Sequence, residues 1–322
     1  MPTAQEIYEQ SLSGVYMPEH WAALAPLVDE INTLKRAKNA IILAHNYMTP
    51  DIFYGVADVV GDSLALAQKA AATDADIIVQ AGVHFMAETS KLLCPDKTVL
   101  IPDLEAGCSL AASITADDVA LIREKYPGAA VVTYVNTSAA VKAASDYCCT
   151  SGNALKIVES IPHEEIIFLP DAYLADFVAG KTAKTIRAWK GTCEVHERFT
   201  PADITKFRAD FPGVVVLAHP ECPPEVLAEV DYTGSTAQMQ AYVERERPAR
   251  VVLLTECSMS DNIAAANPDI EMVRTCQLCP HMKRITLPKI LRSLKEGVHE
   301  VTIPDGVAVA ARRAVQRMLE LS

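Results

Sequence analysis

Four features recur in the same order, three times, along this 322-residue chain. Each set opens on an apolar run, Ile41–Ala44, Val131–Tyr134 or Val214–Leu217, followed at once by a polar cluster. The clusters are His45-Asn46-Tyr47, Tyr134-Val135-Asn136 and His219-Pro220-Glu221. Next comes an aspartate with a hydroxyl residue five positions on: Asp58 with Ser63, Asp146 with Ser151, and Asp231 with Thr236. A second apolar run follows, Ile77–Val79, Ile166–Leu169 or Val251–Leu254. A third run, Val99–Ile101, Thr185–Trp189 or Ile270–Arg274, precedes a cysteine: Cys108, Cys193 or Cys279. The polar cluster and the cysteine stand 63, 57 and 60 residues apart in the three sets. Self-similarity of this kind indicates triplication of one unit of about 85–90 residues.

Continuous apolar runs alternating with helix-like stretches read as buried parallel strands in α/β units. The expected architecture is three related three-layer α/β/α units, with parallel sheets, packed around a pseudo-threefold axis and a central cavity. The expected boundaries are 1–112 with its N-terminal helices, 113–198 and 199–282, with the C-terminal 283–322 packing back on the first unit. Ligands bind beyond the carboxyl ends of such strands, and every polar feature above lies there.

Nine cysteines are many for an intracellular chain, and they favour metal or redox chemistry over structural disulfides. Most could equally be small buried apolar residues. The repeat singles out Cys108, Cys193 and Cys279, one per unit. Cys276-Gln277-Leu278-Cys279 alone fits half a zinc site or a redox pair, but no second CxxC completes a zinc ribbon. A disulfide between Cys276 and Cys279 would withdraw Cys279 from a metal, a possible regulatory device. Ser63, Ser151, Ser235 and Thr236 precede helix-like stretches, where they can cap the helix or help its N-terminus bind an anion. His45, His219 and Glu221 are candidate proton carriers, and Tyr47 and Tyr134 offer phenolic donors.

A formal net charge of −12 argues against a nucleic-acid or anionic-membrane surface. No apolar run reaches the length of about 18 residues that a membrane span needs. The first ten residues do not read as a signal peptide, so a cytoplasmic protein is expected.

Several stretches together resemble the quinolinate synthase family. They are Ala44-His45-Asn46-Tyr47, Gly61-Asp62-Ser63, Gly82–Glu88, Ile101–Cys108, Tyr134–Thr137, Cys149-Thr150-Ser151, His219–Pro223, Gly234-Ser235-Thr236 and Cys279–Lys283. The resemblance runs in order from about residue 40 to residue 290. It implies one [4Fe-4S] cluster held by Cys108, Cys193 and Cys279, with one iron left open as a Lewis acid. It implies condensation of iminosuccinate with dihydroxyacetone phosphate to quinolinate, phosphate and water, in NAD biosynthesis. It also implies functional coupling to an L-aspartate oxidase or dehydrogenase. By position, His45, Ser63, Tyr134, Asn136, Ser151, His219, Glu221 and Thr236 would bind substrate, with Ser235 sharing the carboxylate site. Tyr47, His219 and Glu221 would be catalytic, Tyr47 in condensation and tautomerisation and Glu221 in proton transfer. Asn46 departs from the aromatic residue expected beside Tyr47. Cys257 departs from a non-cysteine position and is expected to be buried. The alternatives are an iron–sulfur enzyme of the diphthamide-synthesis kind, a hydro-lyase with an open iron, and a non-catalytic iron–sulfur sensor or dicarboxylate-binding module.

Overall fold

The computed structural model describes residues 2–275 and 277–322; Cys276, and with it the pairing considered for Cys276 and Cys279, lies outside the described residues. Among the described residues, twelve strands form three separate parallel sheets. The first sheet contains β1 (Ala40–His45), β2 (Val59–Gly61), β3 (Ile77–Ala81) and β4 (Thr98–Leu100). The second contains β5 (Ala130–Tyr134), β6 (Tyr147–Cys149), β7 (Glu165–Leu169) and β8 (Thr185–Ala188). The third contains β9 (Val215–Ala218), β10 (Tyr232–Thr233), β11 (Arg250–Leu254) and β12 (Glu271–Val273). Their orders are β2-β1-β3-β4, β6-β5-β7-β8 and β10-β9-β11-β12, one topology used three times. The chain is therefore α/β with three like units, as the repeat indicates. Each unit has one strand more than its three apolar runs, because the short edge strands β2, β6 and β10 carry no such run.

The central strands are the apolar ones. Ile42, Leu43, Val131, Val132, Leu217 and Leu253 are all fully buried. Helices on both faces exclude water from these residues, and that burial drives the packing.

The repeated aspartate has an architectural role. Asp58, Asp146 and Asp231 each accept a hydrogen bond from the backbone N–H of Ile42, Val131 and Val216, at 2.8, 2.8 and 2.7 Å. Each also donates its own N–H to the carbonyl of that residue, at 2.9 Å. This closes the amino end of the edge-strand ladder in all three units. Each aspartate is paired with a cation 23 residues earlier: Lys35 at 2.9 Å, Arg123 at 2.9 Å and Arg208 at 3.4 Å.

The three pairs differ in burial, and their energetics should differ accordingly. Lys35 is 2% exposed, whereas Arg208 and Asp231 are 44% and 43% exposed. Asp58→Asn leaves a buried ammonium without its counter-charge and should cost about 3 kcal/mol. Asp231→Asn keeps the backbone bond, loses only a solvated pair and should cost less than about 1 kcal/mol. Urea unfolding of the two variants checks this, and equal losses would refute it.

Each cysteine of the repeat stands seven residues before a threonine that leads the next helix. Thr115 and Thr200 close capping boxes with Asp118 and Asp203 on the helices Ala116–Lys125 and Pro201–Asp210. Thr286 leads the helix Leu287–Glu296, which packs on the N-terminal helix Pro18–Ala37 and on β3 of the first unit. The last helix, Asp305–Glu320, packs on Ala139–Ala144 and β6 of the second unit and on His84–Leu93 of the first. Among the described residues, no helix is long and apolar enough to cross a membrane.

Candidate active site

The carboxyl ends of the three sheets line one cavity with about 710 Å³ of empty space, partly open to solvent. His45, Tyr47, Ser63 and Cys108 come from the first unit, and Tyr134, Asn136, Ser151 and Cys193 from the second. His219, Glu221, Thr236 and Cys279 come from the third. Every candidate from the sequence therefore reaches this wall except Ser235. That residue is the N-cap of the helix Thr236–Glu246, where its side chain accepts from the Gln238 N–H. Asp62 does the same for the helix Ser63–Ala72. Caps supplied by Asp62 and Ser235 leave Ser63 and Thr236, one position on, free to face the cavity.

Two histidines are neutral for the same reason. Burial pushes His45 and His219 down to about 3. Each accepts on Nδ1 the backbone N–H of the residue two places on, Tyr47 at 3.2 Å and Glu221 at 3.3 Å. The ring proton is therefore on Nε2 in both. His219 Nε2 lies 3.1 Å from Ser151 Oγ and donates to it.

A hydrogen-bonded line crosses all three units. Tyr134 donates to Glu221 Oε1 at 2.7 Å. Glu221 Oε2 lies 2.8 Å from His196 Nδ1. His196 Nε2 lies 2.8 Å from Thr255 Oγ1, which lies 2.6 Å from the Tyr47 hydroxyl. Burial raises both phenols well above their ordinary range, so they stay protonated. Burial alone would also raise Glu221. The neighbouring imidazoles His219 and His196 and the hydrogen bonds from His196 and Tyr134 outweigh it, and Glu221 is held low, as a carboxylate. Proton donors thus flank a buried base.

His196, Thr255 and Glu256 are the members that the strand-end pattern did not single out. His196 is 1% exposed and sits in a short 3-10 turn, three residues after Cys193, so the Cys-x-x-His spacing was its only signal. Its Nδ1 also lies 3.1 Å from Cys193 Sγ. Glu256 is fully buried and lines the cavity. It pairs with Lys283 Nζ at 2.9 Å and accepts the Cys279 N–H at 3.4 Å. Lys283 also donates to the Tyr47 carbonyl at 2.7 Å. One ion pair therefore ties the Cys279 segment to the Tyr47 turn. Cys257 is half-buried rather than buried.

The donors suit a metal group. Burial pushes the Cys108 thiol up to about 12, Cys193 far above its ordinary value, and Cys279 upward. Such thiols stay protonated unless a cation ionises them. Cys193, His196 and Glu221 offer ligand atoms within 4.8 Å of one another, and among the described residues they are the single set so close. The three repeat cysteines share the same wall without forming so tight a set. A single ion with bonds of about 2.3 Å to sulfur would need them closer. No lysine or arginine is among the described residues lining the cavity. An anion there would meet hydroxyls, Nε2–H groups and backbone N–H groups instead.

Comparison with known proteins places the chain in a family. The model of the Quinolinate synthetase A protein family matches residues 29–320. Quinolinate synthase 2 of Mesorhizobium japonicum is 63% identical over 318 residues, covering 99% of this chain and 98% of its own. The quinolinate synthase of Agrobacterium fabrum is 61% identical over 319 residues, covering 99% and 92%. That of Xylella fastidiosa is 63% identical over 294 residues, covering 91% and 87%. The repeat, the three converging cysteines and these likenesses lead to one statement: the chain belongs to the Quinolinate synthetase A protein family.

Proposed function

We propose that this cavity condenses iminosuccinate with dihydroxyacetone phosphate, forming the pyridine ring of quinolinate and releasing phosphate and water. The chain is a quinolinate synthase, an iron–sulfur enzyme of NAD biosynthesis. The finer reading rests chiefly on one observation: a cysteine from each of three units faces one cavity with a buried carboxylate between proton donors. Cys108, Cys193 and Cys279 would hold a [4Fe-4S] cluster. Such a cluster supplies, at its open iron, a Lewis acid able to polarise a carbonyl or hydroxyl oxygen.

The chain's own residues account for the remaining needs. Carboxylates and phosphate are anionic, and the wall offers Ser63, Ser151 and Thr236 hydroxyls with the Nε2–H of His45. Asn136 Oδ1 is buried with no partner among the described residues, so its amide is available to substrate. Ring formation requires protons to leave carbon and to reach departing hydroxyls. Glu221 is the base for the first task, and Tyr134 shares its proton with it. Tyr47, linked through Thr255 and His196 to the same carboxylate, is the acid of the early steps. Imines hydrolyse, so the mostly buried wall also protects the intermediate from bulk water. Because the imine is short-lived, it would be supplied freshly, by an enzyme that oxidises L-aspartate. Reduced thiols in this number fit a cytoplasmic setting.

The test is direct. Protein purified without oxygen and reconstituted with iron and sulfide should convert freshly generated iminosuccinate and dihydroxyacetone phosphate to quinolinate. Cleavage of S-adenosylmethionine without quinolinate would mark the diphthamide-type alternative. Iron bound without sulfide would mark a single ion on Cys193, His196 and Glu221.

A further inference from the structure

Thr236 reaches the cavity with one side of its hydroxyl already engaged. Asn46 Nδ2 donates to Thr236 Oγ1 at 2.9 Å, across the boundary between the first and third units. Both residues are 3% exposed. Thr236 lines the cavity, while Asn46 stands behind it.

The backbone that carries this amide is held firmly. The Asn46 N–H donates to the Gly61 carbonyl at 3.0 Å. The Asn46 carbonyl accepts from Asn262 Nδ2 at 3.1 Å. The same Nδ2 donates to the Met48 carbonyl at 2.9 Å. Asn262 is itself buried, so the whole turn that carries Asn46 is fixed.

A threonine hydroxyl has one proton and two lone pairs. With the amide proton on one lone pair, the hydroxyl's own proton is left to point elsewhere. Among the described residues, no protein group accepts it, and the cavity is the remaining direction. Ser151 is treated in the same way by His219, whose Nε2–H donates to its Oγ. In both cases a residue at a strand end of one unit makes a hydroxyl of another unit a donor toward the cavity.

We propose that Asn46 is a positioning residue that sets the polarity of the Thr236 hydroxyl, presenting Oγ1–H as a donor to a carboxylate of the substrate. This rests on the reading of the cavity as a dicarboxylate site. It goes beyond that reading by assigning the direction of one hydrogen bond and the residue that controls it.

Asn46→Asp tests the direction, because the side chain keeps its size while its carboxylate accepts from Thr236 and turns the hydroxyl away. A hydrogen bond to a charged group is typically strong enough that reversing it should cost about tenfold or more in binding. In the cluster-loaded enzyme, Asn46→Asp should raise KM for iminosuccinate and Kd for quinolinate by at least that factor. Iron and sulfide content should stay at the wild-type level and kcat should change much less than KM. Thr236→Val should show a similar rise. The double variant should bind no worse than Thr236→Val alone, because the coupling runs through the hydroxyl.

Wild-type KM and Kd in Asn46→Asp would overturn the proposal. So would an undiminished effect of Asn46→Asp in the Thr236→Val background, which would mean simple charge repulsion. If Asn46→Asp does not fold, Asn46→Ala replaces it, and it should raise Kd for quinolinate several-fold; an unchanged Kd overturns the proposal. Failure of the wild-type enzyme to make or bind quinolinate would instead remove the functional reading on which the proposal stands.

Discussion

Cys193→Ser, like Cys108→Ser and Cys279→Ser, should abolish quinolinate formation and strip the reconstituted enzyme of iron and sulfide. Each thiol is buried and pushed upward in its titration, so it is a poor thiolate alone and becomes one when a cation takes its proton. A serine hydroxyl is a far weaker ligand for iron. Loss of a mere outer partner of a metal ligand costs about 10–100-fold, so loss of a ligand should exceed about a hundredfold. The fold itself should survive, because three separate sheets with their own apolar strands carry it. Cys94 provides the control. Its thiol donates to the Ala70 carbonyl at 2.9 Å, away from the cavity, and a serine can make the same bond. Cys94→Ser should keep its iron and sulfide. A full cluster in all three ligand variants would defeat the assignment.

Glu221→Gln should lower kcat by about 10²–10⁴ while leaving iron and sulfide in place, the usual size of a lost general base. The carboxylate accepts on both oxygens, from Tyr134 at 2.7 Å and from His196 at 2.8 Å. A glutamine can accept on one side only, and its NH2 would face a donor on the other. The variant therefore removes the base and also disrupts the line from Tyr134 to Tyr47. Tyr134→Phe removes one donor and should cost less. Single-turnover measurement of quinolinate formation separates the chemical step from release. A kcat within threefold of wild type would exclude Glu221 as the base.

Much of this could be read before any coordinates, for a physical reason. Strands buried on both faces become continuous apolar runs, and Ile41–Ala44, Val131–Tyr134 and Val251–Leu254 stand out as such. The edge strands β2, β6 and β10 have two or three residues each and show no such run. Asp58, Asp146 and Asp231 were visible as a pattern, but Lys35, Arg123 and Arg208 were not visible as their partners. A contact between a helix and the strand beyond it leaves no local trace. His196 escaped because it sits in the turn after the cysteine and not at a strand end. Thr255 and Glu256 directly follow β11, so the strand-end rule applied more widely would have found them. Adjacent hydroxyls such as Ser235 and Thr236 cannot be told apart by composition. The helix decides which one caps and which one faces the cavity.

The shared topology of the three sheets also bears on ancestry. An assembly of three separate, identical chains would have to place the same side chains on every wall of a common pocket. Joined end to end in a single gene, the copies are free to diverge one by one. Here the scaffold bonds of Asp58, Asp146 and Asp231 have stayed alike, while the residues just beyond them have become a histidine with a tyrosine, a tyrosine with an asparagine, and a histidine with a glutamate. A lopsided molecule can thus be met by a different chemical partner on each side, which three interchangeable subunits could not offer.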